Sequence, residues 1–402
     1  MATSKQFILF TIGIIAACSI RAQDGDGKIK MKFNGFGDVV LGKPFGNPAN
    51  IGVDSLYRKY GDQEYPHGMH NGFRLQGIDL LHTVYLNDDI TVQSELNLQG
   101  SRGNEASDIS LDIERIYIDY KINEGLGLQT WMIFTPIGYI NRNLYSRAWL
   151  MNSIYVYTLV EEDAGLVPSH MVGANIYGTF TLGGAHALRY MLGIGMPRPM
   201  APRAEIFNTS LKGYQATAFL EWQIPGPKDF RIGLSGYSNE VHTCRVDSFQ
   251  IPVDITSSSA PELIFQENGF NPYLNYSGKI FNFLAEYHYV FNETLYGNYP
   301  SGTALNSLSA ELSFNASCKG KRLAPYVRYD FIRVPSDGGA YYGLRQLSDE
   351  TLTKVYVPNL YVGMVGIAYD LTHFNRIKLE YVHHFDGPWQ SDGVFLQTAF
   401  GF

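Results

Sequence analysis

The sequence predicts an all-β chain, a transmembrane up-and-down antiparallel β-barrel of about 16 strands, and three observations carry that prediction. Apolar and polar residues alternate with period two along most of the chain. The links between alternating segments are short and long in strict turn. The composition joins 14% aromatic residues (28 Tyr, 24 Phe, 4 Trp) to only 17% charged ones. A disordered chain has few aromatics and a high net charge per residue, whereas these 402 residues carry a net charge of −7. With 31 basic residues against 38 acidic, the chain lacks the basic footprint of a nucleic-acid binder. Its mean hydropathy of −0.12 is too polar for a bundle of transmembrane helices.

Residues Phe7 to Cys18 (FILFTIGIIAAC) form an apolar run too short to cross a bilayer of about 30 Å as a helix. Lys5 precedes the run and Ser19-Ile20-Arg21-Ala22 follows it, so residues 1–22 read as a secretory signal peptide cut after Ala22. Ile15-Ala16-Ala17-Cys18 also fits a lipoprotein site, but that would leave the apolar Ile20 just past the anchor and Ala22-Gln23 unused. Removing Lys5 and Arg21, and no acid, takes the net charge from −7 to −9. The mature chain, 23–402, is expected to be exported to the bacterial outer membrane as one barrel.

Period two is clearest in Leu308–Asn315 (LSAELSFN), where Leu, Ala, Leu and Phe take one face and Ser, Glu, Ser and Asn the other. It recurs in Asp89–Asn97, Lys212–Trp222, Ile280–Tyr289, Tyr326–Phe331 and Asn375–Tyr381. Strands are expected near 30–40, 72–86, 89–99, 109–122, 125–135, 170–181, 186–195, 211–223, 229–239, 266–276, 279–290, 304–315, 322–333, 356–369, 373–385 and 393–402. Short turns fall at Asn87-Asp88, Asn123-Glu124, Leu182–Ala185, Pro225–Lys228, Ser277-Gly278, Ala316–Lys321 and Leu371-Thr372. Longer links lie between them, at 41–71, 100–108, 136–169, 196–210, 240–265, 291–303, 334–355 and 386–392. Outer-membrane barrels have short periplasmic turns and long outer loops, and a soluble sandwich gives no reason for that alternation. The last strand, Val394–Phe402, ends on an aromatic residue with Phe402, Phe400, Thr398, Leu396 and Val394 in phase. Left open in water it would be a sticky, uncharged edge, and closure removes the edge. The Tyr and Phe excess fits aromatic girdles at both interfaces.

One segment carries a family resemblance. Trp131–Gly173 runs from a strand ending in Thr135-Pro136-Ile137-Gly138, through a long excursion, to Asp163-Ala164-Gly165-Leu166 and a returning strand. With the C-terminal strand, this resembles outer-membrane general porins, closest to the phosphate-selective type and related porins of Bacteroidetes-like bacteria. The resemblance implies a homotrimer of sixteen-stranded diffusion channels whose third outer loop folds inward and narrows the pore. It implies constriction residues Arg142, Arg147, Glu161, Glu162 and Asp163 in that loop. Opposite them, the polar faces of the strands would present Arg115, Arg189, Arg231, Arg328, Arg376, Lys378 and Glu380 to the lumen. A phosphate-selective pore calls for a ladder of bases, yet Glu95, Asp112, Asp119, Glu221, Glu286, Glu311 and Asp330 interleave with them. A weakly selective channel for small hydrophilic solutes and ions is expected, with no cofactor and no metal.

Two alternatives remain. A barrel hydrolase would need an activated nucleophile, but there is no Gly-x-Ser-x-Gly or His-Glu-x-x-His, and His67 with His70 make an incomplete metal site. A non-conducting component of an uptake or secretion complex would need a plug, and only residues 23–29 precede the first strand. Cys244 and Cys318 are expected at opposite ends of the barrel, hence as free thiols.

Overall fold

The strands form where the alternation places them. The computed structural model describes residues 29–45, 72–100, 109–144, 150–154, 157, 159–160, 167–183, 186–197, 213–226, 229–244, 262–296, 302–333, 359–385 and 392–402. In chain order these give β1 (Lys30–Phe45), β2 (Gly72–Tyr85), β3 (Ile90–Gly100), β4 (Ile109–Asn123), β5 (Leu126–Phe134) and a one-turn helix α1 (Ile140–Asn143). β6 (His170–Leu182), β7 (His186–Gly195), β8 (Gln215–Ile224), β9 (Asp229–Cys244), β10 (Glu262–Ser277) and β11 (Phe281–Tyr296) follow. The chain closes with β12 (Thr303–Phe314), β13 (Ala316–Cys318), β14 (Lys321–Arg333), β15 (Leu360–Asp370), β16 (Asn375–His384) and β17 (Asp392–Gly401).

Each strand pairs antiparallel with its neighbour in sequence, and β12 and β13 are two pieces of one stave that both pair with β14. β17 pairs with β1 in the register Leu396↔Leu41 and Thr398↔Val39, which closes a barrel of 16 strands. At the seam Phe402 and Gly35 exchange two backbone hydrogen bonds of 2.8 and 2.9 Å. The Phe402 ring lies across Gly35, where a Cβ would stand 2.2 Å from the ring.

The faces are inverted relative to a water-soluble protein. On β16 Leu379 is 48% exposed, while Lys378 and Glu380 beside it are fully buried. β8 and β14 repeat this, with exposed Leu220, Trp222, Val327 and Tyr329 against buried Glu221, Arg328 and Asp330. An apolar outside wrapped around a polar inside is the pattern of a barrel in lipid. The interior also holds the main apolar cluster, in which inward Val40, Val290, Leu305, Ile332 and Phe395 pack with residues of the β5–β6 link.

Three details differ from the expected strands. β1, β9 and β11 run on to Phe45, Cys244 and Tyr296 and β10 reaches back to Glu262, so the ends of the expected loops at 41–71, 240–265 and 291–303 are strand. Ala316–Cys318 is strand too, and the turn narrows to Lys319-Gly320, both at positive φ (52° and 77°), as a two-residue type I′ hairpin requires. Between β3 and β4 the register shifts at Glu95/Leu96, leaving Glu114 as an extra residue, so that Glu114 and Arg115 are both buried although adjacent.

Candidate functional site

The β5–β6 link spans residues 135–169, and its described residues build structure against the inner wall. Its two ends are pinned together. Thr135 N donates to Ser169 O (2.9 Å), and Asn141 Nδ2 donates to both Thr135 O (2.8 Å) and Ser169 O (3.0 Å). The Thr135-Pro136-Ile137-Gly138 motif then turns the chain onto the inner surfaces of β9 and β11. Gly138 sits at φ 62° and donates its N–H to Ser235 Oγ at 2.8 Å. A Cβ at Gly138 would lie 2.1 Å from Glu286 Oε1, so both backbone and space demand glycine. The Glu286 carboxylate accepts the N–H groups of Tyr139 (2.7 Å) and Ile140 (2.9 Å), while its other oxygen pairs with His288 Nε2 at 2.7 Å. Because Glu286 is fully buried, these charge-assisted bonds anchor the first turn of α1 strongly.

Residues 151–154 lie against β12, β14 and β16 and draw in four of the residues expected to face the lumen. Arg328 donates to Ser153 Oγ (2.7 Å), Lys378 to Ser153 O (3.0 Å) and Arg376 to Met151 O (3.4 Å). Glu380 accepts the Ile154 N–H (3.1 Å) and the Tyr326 hydroxyl (2.7 Å). Tyr157, fully buried, shares a hydrogen bond with Ser307. Burial pushes the Tyr139 and Tyr157 hydroxyls above the ordinary phenol range, so both keep their protons at neutral pH.

Arg142 belongs to a second group, on β7–β10. Its guanidinium stacks 3.7 Å from the centre of the Phe219 ring and interacts electrostatically with Tyr273, Glu221, Arg189 and Arg231. Burial pulls its pKa below the usual arginine range. In the same group Arg189 pairs with Glu221 at 3.3 Å and Arg231 with Asp229 at 2.6 Å. Arg115 stands apart, 2.6 Å from Glu95 and over the Phe134 ring. Arg147, Glu161, Glu162 and Asp163 lie outside the described residues, as do His67 and His70. Among the described residues no group of three His, Cys, Asp or Glu side chains is placed to hold a metal ion.

Exposure varies along the inner wall. Inward residues of β12–β17 that face the link are buried almost completely, among them Ser307, Arg328, Asp330, Lys378 and Gln397. On β4–β7 the polar residues Glu114, Arg115 and Asn175 are buried, whereas Tyr117, Asp119, Gln129, Tyr177, Thr179 and Arg189, nearer the short turns, are half-buried. The link covers the inward residues of β12–β17 that it faces, and half-exposed polar side chains lie toward the short turns.

Three participants escaped the sequence reading. Arg322 donates to Asn152 Oδ1 (3.0 Å) and shares the phase of Arg328, six residues on, so the alternation could have found it. The roles of Asn152 and Ser153 had no such signal, because they lie in irregular chain.

No protein-family model matches the chain, and no curated protein matches it by sequence. Solved structures do. An anion-selective porin from Comamonas acidovorans superposes with a TM-score of 0.57 at 10% identity, over 93% of this chain and 100% of that one. The trimer form of OmpT, an outer membrane protein of Vibrio cholerae, gives 0.54 at 10% identity, over 93% and 99%. Salmonella typhi OmpF in complex with daunomycin gives 0.55 at 10% identity, over 93% and 98%. The chain has the fold of outer-membrane porins.

Proposed function

We propose that this protein is an outer-membrane porin, a water-filled and weakly selective channel for passive diffusion of small hydrophilic solutes and ions. The observation that carries this reading is the polar interior of a closed barrel, in which the β5–β6 link packs on the inner wall while half-exposed polar side chains of β4–β7 lie toward the short turns. The link is the constriction, and Arg142 with Arg189 and Arg231 lines it. Weak selectivity follows from pairing. Arg115, Arg189, Arg231 and Arg328 each have a carboxylate within 3.3 Å, so no uncompensated ladder of one sign forms. Residues 1–22 serve as the export signal and 23–402 as the barrel. A homotrimer, as in the trimeric neighbour, and kinship to phosphate-selective-type porins complete the reading, with no catalysis and no cofactor. Liposomes carrying the refolded protein should swell in isosmotic arabinose and glucose, at rates that fall with solute size and differ less than threefold between similar-sized cations and anions. Proteoliposomes that do not swell would overturn the proposal.

A further inference from the structure

On the inner face of β3–β6, toward the short turns, one half-buried carboxylate has only neutral partners. Asp119 follows Arg115 and Tyr117 in phase along β4. Its Oδ2 accepts a hydrogen bond from Gln129 Nε2 at 2.7 Å, and its Oδ1 accepts one from the Tyr177 hydroxyl. The cations of β4 and β7 are engaged elsewhere, Arg115 with Glu95 (2.6 Å), Lys121 with Glu124 (2.6 Å) and Arg189 with Glu221 (3.3 Å). β3, β5 and β6 contain no lysine or arginine. Lys30 stands three strands away through the pairs Lys30↔Tyr85, Tyr85↔Thr91 and Thr91↔Asp119. At the usual strand spacing that is about 14 Å, and Lys30 and Lys32 are both exposed, so salt screens their effect. Exposed Asp88 and Asp89 add negative charge at the adjoining turn, where Lys121 N donates to Asp89 O (2.8 Å).

Two tyrosines flank this carboxylate. The Tyr177 ring lies across Gly127, where a Cβ would stand 2.3 Å from it, and the bond to Asp119 fixes its hydroxyl. Tyr177 also interacts electrostatically with Tyr117, whose own hydroxyl donates to Gln93 Oε1. Both rings are half-buried, so part of each remains open to the lumen.

We propose that this face binds an organic cation, a primary ammonium carried on an apolar body. An ionised carboxylate has about four acceptor positions, and Gln129 and Tyr177 use two, which leaves room for an ammonium to donate. The tyrosine rings offer a cation–π surface to the same ammonium and an apolar surface to the group it carries. An anion would be repelled by Asp119, and a neutral solute would leave its charge unmatched. A small inorganic cation gains nothing from the apolar surface, so weak selectivity among simple ions is unaffected. The inference rests on the channel reading only for the route by which the solute reaches the wall.

The test uses the full mature chain, with 2-phenylethylammonium chloride as probe and uncharged 2-phenylethanol as control. Calorimetry in detergent, corrected against empty micelles, should show saturable heat for the ammonium alone. In planar bilayers the ammonium, added on the short-turn side, should give concentration-dependent current noise. Asp119→Asn, which keeps the shape and removes the charge, should weaken binding at least tenfold. If that variant fails to fold, raising sodium chloride from 0.05 to 1 M on the wild type should weaken binding several-fold by screening. A conducting wild-type channel with neither heat nor added noise from the ammonium would overturn the proposal. So would undiminished binding by folded Asp119→Asn, affinity indifferent to salt, or an equal response to 2-phenylethanol. Salt-sensitive ammonium heat from a protein that never conducts would keep the site and sink the channel reading instead.

Discussion

Glu286 holds the first turn of the β5–β6 link through two backbone N–H groups. Removing its carboxylate orphans both donors in a buried setting, at about 1–3 kcal/mol each. Glu286→Ala should therefore lower the temperature at which the folded barrel converts to its unfolded gel form, and raise open-channel noise as the link loosens. Glu286→Gln, which keeps one acceptor, should fall between, and Gly138→Ala should copy Glu286→Ala by pushing the carboxylate away. Equal midpoints and noise for all of these would remove Glu286 from the anchoring role. Alternation alone makes Glu286, Glu311 and Glu380 legible as inward acids. Their bonds to the link are not legible, since the Glu286–Ile140 contact joins residues 146 apart through a crossing of the lumen that no local pattern encodes.

At the scale of the element, the strands follow from which face meets lipid. Leu379 is exposed on the outer face of β16, so Leu379→Lys should cost about 2–4 kcal/mol if the position lies near the bilayer midplane. Thr179→Lys, on the half-buried inner face of β6, should cost far less. Urea titration of folded protein in lipid vesicles reads both, and equal losses would contradict the assigned faces. The sequence pattern locates every stave because lipid outside and polar side chains inside enforce period two over nine or more residues. It misses the Glu114 bulge and the added length of β9–β11. A bulge shifts phase by a single residue, and strand above the membrane no longer needs an apolar outer face.

At the scale of the whole molecule, closure and topology place the short turns at one end and the long links at the other. Cys318, exposed and free, marks the short-turn end, at the hairpin of β13 and β14. A bulky membrane-impermeant maleimide should label it in broken cells and spare it in intact ones, and equal labelling would reverse the topology. The short–long rhythm makes the closed barrel legible without any sequence relative. How the link packs on the inner wall is not legible, because it depends on where irregular chain such as Asn152-Ser153 settles among Arg322, Arg328 and Lys378. Single-channel recording of the purified protein in planar bilayers, with the reversal potential across a salt gradient, tests the central claim most directly. The channel reading predicts conductance steps arriving in threes and a reversal potential close to zero. A folded, heat-modifiable barrel that never conducts would contradict it.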